Sequence, residues 1–235
     1  MKIVGLQKLT LLDYPGKVAC TVFLNGCNFR CPFCHNSQLL EEEAAPVMTE
    51  DELMFFLKRR QGILDGVCIT GGEPTIHPQL FDLLRKIKSM GYPVKLDTNG
   101  YRPNVIRAVL QERLADYVAM DIKNSPAEYG RTVGLPAPDL EKIGESVQLL
   151  MDWGVEYELR TTVVLPLHSE ASISDLTDWL LTLSGGRRVK KLFLQPFVPR
   201  ETVPVSGLKT PDNALLEGFL TRLAPCAEEI SLRGV

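Results

Sequence analysis

An α/β fold built on a parallel sheet is what the sequence predicts, on three observations. Short, nearly continuous apolar runs recur along the chain, as expected of strands buried on both faces. Segments with helical spacing lie between them, and parallel neighbours need such crossovers. Roughly six of these units occur without a dinucleotide-type glycine fingerprint, so an open or partial barrel fits at least as well as a doubly wound sheet.

The elements follow in order. An N-terminal extension comes first, and residues 18–24 (Val-Ala-Cys-Thr-Val-Phe-Leu) make the first core strand. Thr49 and Glu52 form a capping box ahead of Leu53, Phe56 and Leu57. A strand at 67–69 precedes a helix opened by Pro78, carrying Leu80, Leu83, Leu84 and Ile87, and closed by Gly91. Strands are predicted at 94–96, 117–120, 159–165 and 192–194, with a helical stretch after Pro103. Leu140, Ile143, Val147 and Leu150 share one helix face before Gly154. Ser172 with Asp175, and Thr210 with Pro211, start two more helices. Trp153 and Trp179 sit on apolar helix faces and read as core.

Composition narrows the classes. The 235 residues are 45% hydrophobic and 23% charged, which excludes disordered and fibrous chains. Lys+Arg number 26 against 29 Asp+Glu, a net charge of −3. Without a basic surplus, nucleic acid is not the expected partner. No stretch reaches the ~18 apolar residues of a membrane span. Lys8 and Asp13 interrupt what could have been a signal-peptide core, so a cytoplasmic location is expected. Glu41-Glu42-Glu43 reads as a solvated loop. With no repeat and no linker, residues 1–235 are expected to form a single domain.

Chemistry concentrates in Cys27-Asn28-Phe29-Arg30-Cys31-Pro32-Phe33-Cys34-His35, directly after the first core strand. In α/β barrels the active site lies at the C-terminal ends of the strands. Three soft thiolates spaced Cys-x3-Cys-x2-Cys suit iron–sulfur or zinc. On a four-iron cube, three protein ligands leave one iron open to a substrate. Structural zinc needs a fourth ligand, for which the nearby candidate is His35, adjoining Cys34. Cys31-Pro32-Phe33-Cys34 alone could be a redox dithiol, but that reading has no use for Cys27. Cys20 and Cys68 lie in apolar runs and read as core.

The Cys27/Cys31/Cys34 spacing with Phe33 before the last cysteine resembles the signature of the radical S-adenosylmethionine superfamily. Gly71-Gly72-Glu73-Pro74 after the second core strand matches that superfamily's Gly-Gly-Glu motif. Residues 11–17 (Leu-Leu-Asp-Tyr-Pro-Gly-Lys) and 25–30 resemble the activating enzymes of glycyl-radical proteins, most of all those serving anaerobic ribonucleoside-triphosphate reductase.

The resemblance implies a partial (β/α)6 barrel, a 4Fe–4S cluster held by Cys27, Cys31 and Cys34, and S-adenosylmethionine as cofactor. It implies a glycyl-radical enzyme as protein substrate and a reduced flavodoxin or ferredoxin as electron donor. Phe33, Cys34 and His35 then lie beside the cofactor. Gly71 and Gly72 let backbone approach it, and Glu73 accepts from its ammonium group. Asp97, Thr98, Met120, Asp121 and Lys123 hold its amino-acid end, with Asp97 and Met120 contributing to a bound monovalent cation. Arg160, a mid-strand charge that needs a partner, touches the cofactor or the partner's backbone. The chain departs from several activating enzymes after the last barrel strand, where Gln195-Pro196-Phe197-Val198-Pro199 has no histidine for the adenine. His77 and His168 read as loop or capping residues. Two rival readings are a superfamily member acting on a small molecule and a zinc-stabilised interaction protein.

Overall fold

In the computed structural model, residues 1–41 and 44–234 are described; Glu42 and Glu43 of the acidic run lie outside them. Eight strands make one sheet in sequence order: β1 (Ile3–Thr10), β2 (Ala19–Leu24), β3 (Gly66–Gly71), β4 (Val94–Thr98), β5 (Tyr117–Asp121), β6 (Glu156–Val163), β7 (Val189–Pro196) and β8 (Ala227–Leu232). The sheet is open, with β1 at one edge and β8 at the other. β1 pairs antiparallel with β2; the pairs β2–β3, β3–β4, β6–β7 and β7–β8 are parallel. The helices are α1 (Glu50–Arg59), α2 (Leu80–Ser89), α3 (Pro103–Gln111), α4 (Pro126–Val133), α5 (Leu140–Trp153), α6 (Glu170–Leu183) and α7 (Asn213–Leu223). This is the predicted open α/β architecture, with β1 as the N-terminal extension. Among the described residues no helix is long and apolar enough to cross a membrane.

Two compact units divide the chain. The first comprises Met1–Asn28, Asn36–Thr98 and Asn104–Ala119. Its strand residues Cys20, Val22, Leu24, Val67, Cys68, Ile69, Val94 and Leu96 are buried, which explains their unbroken apolar runs. The Thr49–Glu52 capping box forms as predicted, each residue's side chain accepting from the other's backbone N–H. Leu53 and Leu57 of α1 and Leu80, Leu83, Leu84 and Ile87 of α2 are buried, and α2 packs against α1 and β4.

The second unit comprises Phe29–His35, Asn99–Pro103 and Met120–Val235. Here several expectations change. α6 starts earlier than the Ser172 signal suggested, because Ser169 is the cap and Ser172 its reciprocal partner. α7 is capped by Asp212, which accepts from Leu215 N at 2.8 Å, rather than by Thr210. Trp153, expected in the core, is 39% exposed at the C-terminal end of α5, where the helix runs out at left-handed Gly154. Trp179 is half-buried and meets the Tyr129 ring edge-on at 5.9 Å.

Candidate active site

In the first unit, the Gly-Gly-Glu turn at the end of β3 is stitched to the base of the cysteine loop. Gly72 N donates to Leu24 O at 2.9 Å and Glu73 N to Gly26 O at 2.8 Å. A Cβ on Gly71, whose φ is +122°, would lie 2.2 Å from Leu24 O; one on Gly72 would lie 1.8 Å from Gly26 O. The glycines were expected to clear room for a ligand. Instead they clear room for the backbone that launches Cys27, and a side chain at either would push that backbone away. Gly26 N donates to Leu39 O at 2.8 Å, and the His77 ring lies 2.7 Å from Asn25 O. Burial lowers the His77 pKa, which fits a neutral anchoring ring.

Glu73 is 1% exposed. Its Oε1 accepts from Thr75 N at 3.1 Å, Thr75 Oγ1 at 2.5 Å and Thr98 Oγ1 at 2.8 Å. Thr98, predicted to bind the cofactor, thus braces Glu73 from the end of β4. The neighbouring Asp97 pairs with Lys95, a fully buried residue that sequence reading passed over. The signal was available: Lys95 and Asp97 are two apart on a strand and so share a face.

The rest of the cysteine loop belongs to the second unit. Arg30 N donates to Val133 O at 2.8 Å, and Cys34 N to Cys31 O at 3.1 Å. Phe33 is buried with Val164, Leu167 and Phe197, and Cys31, Val203 and Leu208 pack against this cluster. The segment after β7 clasps the loop. Thr202 Oγ1 donates to His35 O at 2.7 Å, and Val205 N to Pro32 O at 3.3 Å. The His35 ring lies 2.7 Å from Val198 O and stacks on Phe197 at 5.5 Å. Leu165 and Lys209 exchange backbone bonds at 3.0 and 2.9 Å that tie down the far end of this clasp. No local sequence pattern announced it, since its partners lie some 160 residues apart (|i−j| of 163 for His35 and Val198).

At the end of β5, Asp121 binds two cations. Its Oδ2 is 2.8 Å from Lys123 Nζ and its Oδ1 is 2.9 Å from Arg160 Nε. Burial pushes the Asp121 carboxyl up, but Arg160 and Lys123 more than offset this and hold it at about 2. Burial likewise opposes the Lys123 charge, while Asp121 and then Cys31 raise its pKa. Met120 is buried, its methyl over Gly100. His168 is a buried strut: Nδ1 accepts from Val164 N at 3.1 Å, and Nε2 lies 2.9 Å from Lys123 O. Burial lowers its pKa, as for a neutral ring.

All six cysteines are free thiols. Cys20, Cys68 and Cys226 are buried, while Cys27, Cys31 and Cys34 are partly exposed. Burial pushes the Cys20 thiol up to about 12 and Cys226 up to about 11, as suits inert core thiols. Burial also pushes Cys31 up to about 11, against the pull of Lys123; a metal binding there must displace a proton. Among the described residues, no three His, Cys, Asp or Glu side chains gather as one metal ion requires. A four-iron cluster makes no such demand, because each of its thiolates binds a different iron. Three accessible soft donors within eight residues of chain fit that group.

Residues 21–180 match the Radical SAM superfamily model. The chain belongs to the radical SAM superfamily. It is therefore a radical SAM enzyme, of a family that uses a 4Fe–4S cluster and S-adenosylmethionine, and the zinc-stabilised module is set aside. A Methanocaldococcus jannaschii protein provisionally named a glycyl-radical enzyme activating enzyme is 34% identical over 180 residues, 73% of this chain and 72% of that one. The pyruvate formate-lyase-activating enzyme of Clostridium pasteurianum is 28% identical over 203 residues, 83% and 82% of the two chains. The structure of Streptococcus suis SuiB bound to S-adenosylmethionine superposes with a TM-score of 0.64 at 13% identity, over 91% of this radical SAM chain and 52% of that chain. That likeness bears on the fold alone.

Proposed function

We propose that this radical SAM enzyme activates a glycyl-radical enzyme. The observation that carries the reading is its similarity, along most of both chains, to relatives named for that activity. Cys27, Cys31 and Cys34 would hold the cluster, leaving one iron without a protein ligand. When bound, the cluster supplies the electron that splits S-adenosylmethionine into methionine and a 5′-deoxyadenosyl radical, the hard chemistry that a protein leaves to its cofactors. The products expected of that chemistry on the partner would be 5′-deoxyadenosine and a radical at a glycine Cα. The anaerobic ribonucleoside-triphosphate reductase is the first partner to try, and a reduced flavodoxin or ferredoxin suits the donor role. A reducing cytoplasm suits the free thiols.

This chain's own residues position the cofactor. Gly71 and Gly72 fix where the cysteine loop begins. Glu73, braced by Thr75 and Thr98, offers negative charge to an ammonium group. Lys123 and Arg160, held by Asp121, offer positive charge to a carboxylate. Phe33 and His35, fixed by the clasp, keep water from the loop. Asp97 and Met120 complete the set at the ends of β4 and β5.

The test is anaerobic reconstitution with reductant, S-adenosylmethionine and candidate partners, read by electron paramagnetic resonance. A glycine-centred signal on a partner is expected. Cleavage of S-adenosylmethionine with no signal on any partner would move the reading to a small-molecule substrate. Cys27→Ala, Cys31→Ala or Cys34→Ala should each abolish cleavage, and Cys226→Ala should not, since the Cys226 thiol donates to Leu223 O at 2.9 Å inside the core.

A further inference from the structure

Lys95 is the second residue of β4, with 1% of its surface exposed. A buried ammonium is tolerated when it is paired and hydrogen-bonded, and this one is. Its Nζ lies against Asp97 Oδ1 and 3.9 Å from Cys68 Sγ. The register makes the grouping inevitable. Cys68 is the β3 neighbour of Lys95, and Asp97 follows Lys95 by two residues, on the same face. Cys68 Sγ lies 3.8 Å from the same Asp97 oxygen.

The resemblance to the activating enzymes implies a monovalent cation at Asp97. The residues here do not fit one. A carboxylate that collects an alkali ion must bring its charge to an ion from solution, whereas Asp97 already meets a cation built into the chain. A second cation on the same oxygen would face the ammonium at contact distance in a buried setting, where repulsion is strong. We propose that the Lys95 ammonium takes the place of the monovalent cation, so that Asp97 is neutralised and oriented by covalently attached charge. Lys95 is thus a positioning residue acting through Asp97, and this chain is indifferent to potassium and sodium.

The inference rests on the cofactor site of the proposed function but not on its partner, and its test needs neither partner nor S-adenosylmethionine. The two can therefore fail separately. Thermal unfolding of the full chain is followed in potassium, sodium and tetramethylammonium chloride at one ionic strength. The wild-type midpoint should be the same in all three. The Lys95→Ala midpoint should fall in tetramethylammonium and recover with the logarithm of potassium or ammonium concentration. Recovery of about 3–5 °C is expected for each tenfold excess of ion over its dissociation constant. A potassium-specific rise of the wild-type midpoint that Asp97→Asn removes would overturn the proposal. So would a Lys95→Ala chain whose midpoint ignores the ion. If Lys95→Ala does not fold, sodium-23 relaxation on the wild type decides: no saturable broadening supports the built-in cation, and broadening displaced by potassium overturns it.

Discussion

Two carboxylates stand at the ends of β3 and β5, and the chain satisfies them in opposite ways. Glu73, after β3, is buried among neutral donors: one amide and two threonine hydroxyls converge on a single oxygen. Asp121, at the end of β5, is held by an ammonium and a guanidinium. None of these three donors to Glu73 carries a charge. In the second grouping, both partners of the acid are themselves charged. Hydrogen bonds from hydroxyls fix a carboxylate without cancelling its charge, whereas ion pairs fix it and offset that charge.

The scaffold under the first grouping is the easiest place to break it. Gly72→Ala would drive a Cβ into Gly26 O, a backbone atom that cannot swing aside. It should cost more than about 3 kcal/mol, the range of core overpacking and backbone strain. Denaturant unfolding measures this, with iron uptake by the Cys27 loop falling in parallel. An unchanged midpoint would mean the stitch between β3 and the loop is slack.

Asp121→Ala should come next. It takes from Lys123 and Arg160, each 14% exposed in its side chain, the carboxylate they share. A loss of about 3 kcal/mol is expected, the low end for breaking a buried pair. The acid limb carries the same information. Since the folded Asp121 carboxyl sits at about 2, below its ordinary value of 3.8, its stabilisation is complete above about pH 5 and is lost progressively as pH falls to about 1. Wild type and Asp121→Asn should therefore differ in the slope of stability against pH between those limits and run parallel above them.

Glu73→Gln should have the smallest effect on stability, under about 1 kcal/mol, because the amide oxygen can still accept from Thr75 and Thr98. Its effect should appear in the affinity for S-adenosylmethionine, measured by calorimetry on the reconstituted enzyme. Equal destabilisation by Glu73→Gln and Asp121→Asn would erase the distinction between the two groupings.

Much of this was legible in the sequence, for reasons particular to each element. β2, β3 and β5 announce themselves because burial on both faces forbids polar interruptions, and Thr49 with Glu52 is a short-range reciprocal bond. Edge strands give no such sign. Gln7 and Lys8 in β1, and Glu228 and Glu229 in β8, face solvent, so neither segment reads as an apolar run. The cysteine loop and the Gly-Gly-Glu turn were found by motif, but the reason for the glycines was not. It depends on Leu24 and Gly26, nearly fifty residues earlier. Arg160 was singled out as a charge needing a partner; the same reasoning applied to Lys95 would have found Asp97.

The central claim is that Cys27, Cys31 and Cys34 grip a four-iron cluster with one iron left open. Iron and acid-labile sulfide, quantified after anaerobic reconstitution, with the paramagnetic spectrum of the reduced cluster recorded with and without S-adenosylmethionine, test it most directly. Four irons and four sulfides per chain, and a spectrum that shifts on adding S-adenosylmethionine, are the predicted result. Stoichiometric zinc in a colourless protein, or a cluster spectrum indifferent to S-adenosylmethionine, would contradict it.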